Sequence, residues 1–434
     1  MDTQELQAID LAHVWHPFTQ YREWRETNPL MIDSAEGCEL IDTEGHRYLD
    51  AVGSLWVGVH GHRHPVVDAA VRAQLGKVAH STFLGLSHSP GVALAEKIIE
   101  IAPGDLNRVF YSDSGSTAVE VALKMAFQSQ QQRGETQRHR FASLSHAYHG
   151  DTVGSVSVGG IDLFHGVYRP LLFDSLNLEC PDHYEREEEL AIKACRRLDE
   201  VGDELVALVV EPLVQGAAGM RMHSPAFLDT VLSHARQLGA LVVVDEVATG
   251  FGRTGTLFAT NQLATMPDLM CLGKGLTNGY LPLAITLATE SIFETFTGDH
   301  SKTFFHGHTY TANPLGCAAA IATLDLFEEE STLSQVQNLV GALSAALAPL
   351  SDRPDVALVR QKGLMVGVDL LSPIGGPLPA SERTGHQVCM AAREHGVILR
   401  PLGDTVVMMP PLCMSSDQVE RVVSVLEEVL DARH

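Results

Sequence analysis

Between residues 61 and 320, short apolar runs alternate with stretches of helical periodicity, and this alternation restricts the fold more than any other feature of the chain. The apolar runs lie at 108–111, 141–144, 205–210, 240–244, 269–272 and 283–289, and helical patterns include 66–77, 91–101 and 117–131. Parallel strands need a long crossover, usually a helix, so strands spaced by helices predict an α/β domain with a mainly parallel sheet. Residues 1–60 read as an entry segment with short strands. Within it, 36–50 alternates and turns at Glu44-Gly45, as a hairpin does. From about residue 321 the texture changes to one long helical stretch (318–350), strands at 358–361, 365–370 and 406–409, and helices near 384–395 and 416–430. The expected division is an N-terminal segment, 1–60, contributing to a small domain and a substrate pocket, a large domain, 61–320, and a smaller α+β domain, 321–434.

A formal net charge of -24 disfavours nucleic acid and anionic membranes as partners. The seven cysteines are scattered without a C-x-x-C pair, which argues for a reducing compartment and against a disulfide framework or structural zinc. No apolar run approaches the roughly 18–20 residues that span a bilayer, and the N-terminus lacks a secretory pattern. A cytoplasmic protein is expected.

Ligands of parallel α/β sheets bind beyond the carboxyl ends of strands. Four predicted strands end in polar groups: 112–116, Glu211, Asp245 and Lys274. Lys274, between Gly273 and Gly275 at the end of an apolar run, suits a covalent aldehyde anchor better than a surface role. Asp245 ends the apolar run 241–244, where an unpaired carboxylate would be costly to bury. A protonated pyridine nitrogen would give it a partner, each stabilising the charge of the other. The alternatives are a helix cap or a metal ligand, and no neighbouring His/Asp cluster supports a metal. Together the two residues point to pyridoxal 5'-phosphate (PLP), an electron sink held through a lysine, and so to an enzyme that moves amino groups. Lys274, once displaced by a substrate amine, could shuttle a proton as general base and acid.

Ser112-Asp113-Ser114-Gly115-Ser116 joins a strand to a helix. It reads either as a phosphate cradle at a helix N-terminus or as a plain helix cap. Tyr148, in Tyr148-His149-Gly150-Asp151, can lie against a planar ring or simply pack a turn. The segment 305–310 offers a hydroxyl and backbone donors for an anion, or is an ordinary loop. Arg400 can take a carboxylate in bidentate fashion or form a structural salt bridge. His60, His62 and His64 alternate in sequence without an accompanying carboxylate or cysteine, so no metal is expected.

Val243-Val244-Asp245-Glu246-Val247-Ala248-Thr249-Gly250-Phe251-Gly252-Arg253-Thr254-Gly255, followed by Gly273-Lys274-Gly275, resembles the class III (ω-type) PLP-dependent aminotransferases. The likeness extends over nearly the whole chain. Trp15-His16-Pro17-Phe18-Thr19, Ser54-Leu55-Trp56, Tyr111–Ser116, Tyr148-His149-Gly150-Asp151, 214–220, 305–309 and Arg400-Pro401-Leu402-Gly403 look like the 7,8-diaminopelargonic acid branch of that family, which serves biotin synthesis. The resemblance implies PLP-dependent transferase fold type I and a homodimer with shared active sites. It also implies a ping-pong amination of 8-amino-7-oxononanoate to 7,8-diaminononanoate. By motif position Ser114, Gly115 and Ser116 would bind phosphate, with His308 and Thr309 supplied by the other subunit. Lys274, Asp245 and Tyr148 would be catalytic, Glu211 would stand near the cofactor, and Phe18, Leu55, Trp56, Tyr148, Gly307 and Arg400 would contact substrate. Members using S-adenosylmethionine usually carry tyrosine at the place of Phe18 and tryptophan at the place of Leu55, so this chain looks more like the lysine-using branch. The alternatives are an aminotransferase for another ω-amino acid or diamine, and a catalytically silent PLP-binding protein, which the intact Lys274 and Asp245 disfavour.

Overall fold

The computed structural model describes residues 1–433. Its central sheet has seven strands: β1 (Leu106–Ser112), β2 (Arg140–Leu144), β3 (Ser175–Leu178), β4 (Leu205–Val210), β5 (Leu241–Asp245), β6 (Leu269–Leu272) and β7 (Ala284–Thr289). Their order is β1-β7-β6-β5-β4-β2-β3. β5 runs parallel to β4 and β6, and β2 runs parallel to β3 and β4. β7 is antiparallel to both of its neighbours. The cause is local: between β6 and β7 the chain forms only the short 3-10 turn Lys274–Thr277, too little for a crossover helix. The sequence does not predict β3. Its residues, Ser-Leu-Asn-Leu, are few and alternate as an edge strand does, with Leu176 and Leu178 buried.

The sheet is covered on both faces, which is why β4 to β7 are buried along their whole length and mostly apolar. Leu208, Val210, Val242 and Val244 meet Leu198, Phe227 and Val231 of the helices Glu187–Val201 and Pro225–Gln237. Val209, Val243 and Cys271 point the other way, against Ala118, Val119 and Ala122 of the helix Gly115–Gln132. Each fully buried Val or Leu stabilises the fold by ~1.5–3 kcal/mol, so the strand ends that carry polar groups hang from a rigid layer.

The expected helix 318–350 is two helices, Pro314–Glu329 and Thr332–Leu347. Ser331, at φ 51, takes the left-handed backbone that ends the first and starts the second. Beyond them Val356–Lys362, Met365–Leu370, Thr405–Met408 and Arg400–Leu402 form an antiparallel sheet. The N-terminal strands Ile32–Glu36, Glu39–Asp42 and Arg47–Asp50 form a meander, and the third pairs in parallel with Val397–Ile398. This pairing carries residues 52–56 close to the strand that begins at Arg400.

Among the described residues no helix is long and apolar enough to cross a membrane, and no group of His, Cys, Asp and Glu is arranged to hold a metal ion. The three histidines of 60–64 are engaged elsewhere. His60 Nε2 meets Thr323 O at 3.0 Å, His62 Nε2 meets Asp50 Oδ2 at 2.9 Å, and His64 Nε2 meets Glu330 Oε1 at 3.1 Å.

Candidate active site

The carboxyl ends of β4, β5 and β6 deliver Glu211, Asp245 and Lys274 to one cavity of about 390 Å³. Asp245 is buried. Its Oδ1 accepts the Val247 N–H at 3.0 Å, and its Oδ2 lies 2.7 Å from His149 Nδ1. A carboxylate can only accept, so Nδ1–H donates. Burial pulls the His149 pKa down, but the hydrogen bond and charge of Asp245, with the charge of Glu211, outweigh it and leave it above the ordinary value. His149 is a site residue that the sequence does not single out; its signal lies in the same four residues as Tyr148.

Glu211 accepts the N–H of Tyr148 at 3.0 Å and of Gly216 at 3.2 Å. Burial pushes its pKa up to about 7, against the pull of His149 and these two donors and with the repulsion of Asp245. Near neutral pH it can therefore stand in either protonation state beside the lysine.

Lys274 sits at φ 42, a left-handed conformation that costs an ordinary residue on the order of 1–3 kcal/mol and is kept where geometry matters. Burial lowers its pKa, Arg253 adds to the lowering, and Asp245 and Glu211 oppose it. A lowered pKa enlarges the free-amine fraction, as a nucleophile or base requires. Its Nζ lies 5.0 Å from the Trp56 ring centroid. Among the described residues this amine has no hydrogen-bond or ion-pair partner.

The opposite end of the cavity is the N-terminus of the helix Gly115–Gln132. A Cβ on Gly115 would lie 2.5 Å from Val247 Cγ1, so only glycine lets the backbone come this close. Ser114 is the helix N-cap, its Oγ accepting the Thr117 N–H at 3.3 Å, and it lies outside the cavity lining. Ser116 Oγ is 2.9 Å from Thr152 Oγ1 and accepts the Thr152 N–H at 3.1 Å. Free N–H groups and the helix dipole make this end a receptor for an anion. Tyr148 also lines the cavity. Its hydroxyl donates to Asp151 Oδ2 at 2.7 Å, and burial raises its pKa.

A second cavity, about 560 Å³, is lined by Phe18, Leu55 and Arg400. Burial lowers the Arg400 pKa, against the opposing effects of Cys389 and Tyr148. Its guanidinium has no carboxylate partner among the described residues, so the salt-bridge alternative for this arginine does not hold within the chain. Trp56 lines the first cavity, not the second. Gly307, His308 and Thr309 line neither; Gly307 and Thr309 are exposed, and the His308 N–H donates to Thr311 Oγ1 at 3.2 Å. A larger groove, about 850 Å³, is apolar, runs between the helix Ser89–Ile101 and the β1 edge, and contains none of these groups.

Residues 21–430 match the aminotransferase class-III family. The chain belongs to the class-III aminotransferases. This aminotransferase is 51% identical over 436 residues to a protein of Nitratidesulfovibrio vulgaris named adenosylmethionine-8-amino-7-oxononanoate aminotransferase, covering 97% of the chain and 80% of that protein. It is 46% identical to the protein of that name from Geobacter sulfurreducens, covering 98% and 97%. The crystal structure of the Methanocaldococcus jannaschii protein of that name superposes with a TM-score of 0.96 at 38% identity, covering 99% of each chain. An omega transaminase of Pseudomonas jessenii in complex with PMP superposes with a TM-score of 0.93 at 30% identity, covering 99% and 98%. This class-III aminotransferase is a PLP-dependent enzyme of the α/β transaminase fold. Its residues fit that cofactor: an unpartnered lysine amine, a buried carboxylate braced by His149, and a glycine-opened helix N-terminus face one cavity.

Proposed function

We propose that this aminotransferase converts 8-amino-7-oxononanoate to 7,8-diaminononanoate in biotin synthesis, by a ping-pong sequence with L-lysine as amino donor. Bound PLP supplies the electron sink for both halves of the exchange. Lys274 would anchor it and, as a free amine of lowered pKa, would move the proton at the substrate carbon. Asp245, held by His149, would supply the negative charge for the ring nitrogen. Gly115 and Ser116 would hold the phosphate, and Tyr148 would wall the ring. Glu211 stands where its charge can adjust to the substrate in place. Gly307, His308 and Thr309 serve the site of a second copy in a homodimer, since they line neither cavity of their own chain. The chemistry and composition suit a cytoplasmic enzyme.

The observation that carries the substrate class is Arg400, an unpaired guanidinium in the cleft of Leu55, near enough to Tyr148 of the lysine's cavity to feel its charge. The relatives, named as 8-amino-7-oxononanoate aminotransferases, supply the keto-amine. Arg400→Ala is expected to raise KM for 8-amino-7-oxononanoate about 10–100-fold with kcat little changed, the loss of one charge-assisted contact. Steady-state kinetics check this, and an unchanged KM would remove Arg400 from the carboxylate site.

The donor follows from Phe18 and Leu55. Phe18 packs edge-on against Phe164, centroids 5.4 Å apart, and offers no hydroxyl, while Leu55 offers no indole for a sulfonium cation. The relatives' names favour a second reading, S-adenosylmethionine. Mixing the PLP enzyme with either donor separates the two. Loss of the bound-cofactor absorbance with L-lysine supports the proposal; rapid loss with S-adenosylmethionine and none with lysine replaces it.

A further inference from the structure

We propose that the pair formed by half-buried His62 and buried Asp50 is a positioning device for transamination: it pins a left-handed turn, Gly53–Trp56, that sends Leu55 into the substrate cleft and Trp56 over Lys274. Four successive residues here have positive φ: Gly53 52, Ser54 46, Leu55 66 and Trp56 73. Only the first is a glycine. Side chains on the other three crowd the backbone in this conformation, and neither leucine nor tryptophan carries the short polar group that eases it. A turn of this kind persists only where its surroundings over-determine it, and such turns gather at functional sites.

Asp50 supplies the determination on one side. It is fully buried at the end of the strand Arg47–Asp50. Its Oδ1 accepts the Ser54 N–H at 3.0 Å, and its Oδ2 accepts the Ser54 hydroxyl at 2.7 Å and faces His62 Nε2 at 2.9 Å. Burial raises the Asp50 pKa, but the His62 and Ser54 donors outweigh it and hold it below the usual range, so the carboxylate keeps its charge. His62 is fixed in turn by paired backbone bonds with Gly37, at 2.6 and 3.2 Å. On the far side Arg253 donates to the carbonyls of Gly58, at 2.5 Å, and of Trp56, at 3.4 Å. The turn is thus held at both ends while its middle carries the strain. The result is a division of labour between neighbours: Leu55 lines the cavity of Phe18 and Arg400, and Trp56 lines the cavity of Lys274. If Asp50 releases Ser54, both side chains lose their aim together.

The test is a double-mutant cycle of Asp50→Asn and Ser54→Gly in the PLP holoenzyme, read as single-turnover kcat and KM with 7,8-diaminononanoate as amine. Glycine accepts the left-handed backbone without a pinning carboxylate, so the two changes must be coupled. Asp50→Asn alone is expected to lower kcat/KM about tenfold or more, mainly through KM, with PLP content retained. In the Ser54→Gly background the same change is expected to lower it about threefold or less. Should Asp50→Asn fail to accumulate folded, His62→Ala replaces it in the same cycle, with about a threefold loss expected in the Ser54 background and none in the Ser54→Gly background. Equal losses in both backgrounds, or an Asp50→Asn enzyme with native PLP content and unchanged kcat/KM, would overturn the proposal. The probe rests on the substrate reading above, so wild-type enzyme is the control. If it converts L-lysine or S-adenosylmethionine but not 7,8-diaminononanoate, the substrate reading has failed, and the cycle is read with the amine that reacts.

Discussion

Lys274→Ala should lower transamination by ~10³-fold or more while leaving the fold and PLP-phosphate binding in place. In the proposed function two contributions would vanish together: the amine that anchors the cofactor and the base that moves the proton. Among the described residues no other amine is placed to replace it, since Lys274 is the one lysine lining the cavity of Asp245 and Glu211. The phosphate end, built from Gly115, Ser116 and the helix N-terminus, does not depend on the lysine. The check is the rate of the first half-reaction, followed by absorbance, beside circular dichroism and PLP content. A variant within tenfold of wild type would mean that Lys274 is not the reacting amine.

The second large effect is expected at Asp245. Asp245→Asn keeps the shape and removes the charge that the proposed function sets against the pyridine nitrogen, so the ring would lose the partner that favours its protonated, electron-accepting form. A loss of ~10²–10³-fold in both half-reactions is expected, the range seen when one preorganised electrostatic partner is removed. His149 should respond as well. Its raised pKa rests on the hydrogen bond and charge of Asp245, so in the asparagine variant burial prevails and the imidazole becomes harder to protonate. Rates of both half-reactions and the ¹⁵N shifts of His149 measure the two effects. A variant with near-native rates would remove the carboxylate from the electron-sink role.

The parts of this site that can be read in the sequence are those encoded locally. Asp245 and Lys274 each end an apolar run, and a strand buried on both faces is legible as such a run; its carboxyl end then marks the ligand side of the sheet. Gly115 and Ser116 follow a strand and open a helix, again a local pattern. What the sequence hides depends on contacts between distant segments. His149 gains its meaning from Asp245, 96 residues away, and nothing in its own neighbourhood announces that pairing. The antiparallel course of β7 follows from the lack of a crossover α-helix between residues 273 and 283, where only a 3-10 turn forms, a negative signal set against the general alternation. β3 is an edge strand of four residues with two polar ones, too short for its pattern to stand out. The break at Ser331 lies in a stretch whose helical periodicity continues on both sides, so only the backbone reveals it. The left-handed turn at 53–56 is invisible in composition for the opposite reason: Leu55 and Trp56 argue against such a backbone, and only Asp50 and Arg253 make it tenable.

Whether Lys274 is the amine that holds PLP is decided by borohydride reduction of the PLP-loaded protein followed by peptide mass mapping. A stable phosphopyridoxyl mass is expected on the peptide containing Lys274, absent when Lys274 is alanine. A reduced adduct on a different lysine, or none at all in protein shown to contain PLP, would contradict it.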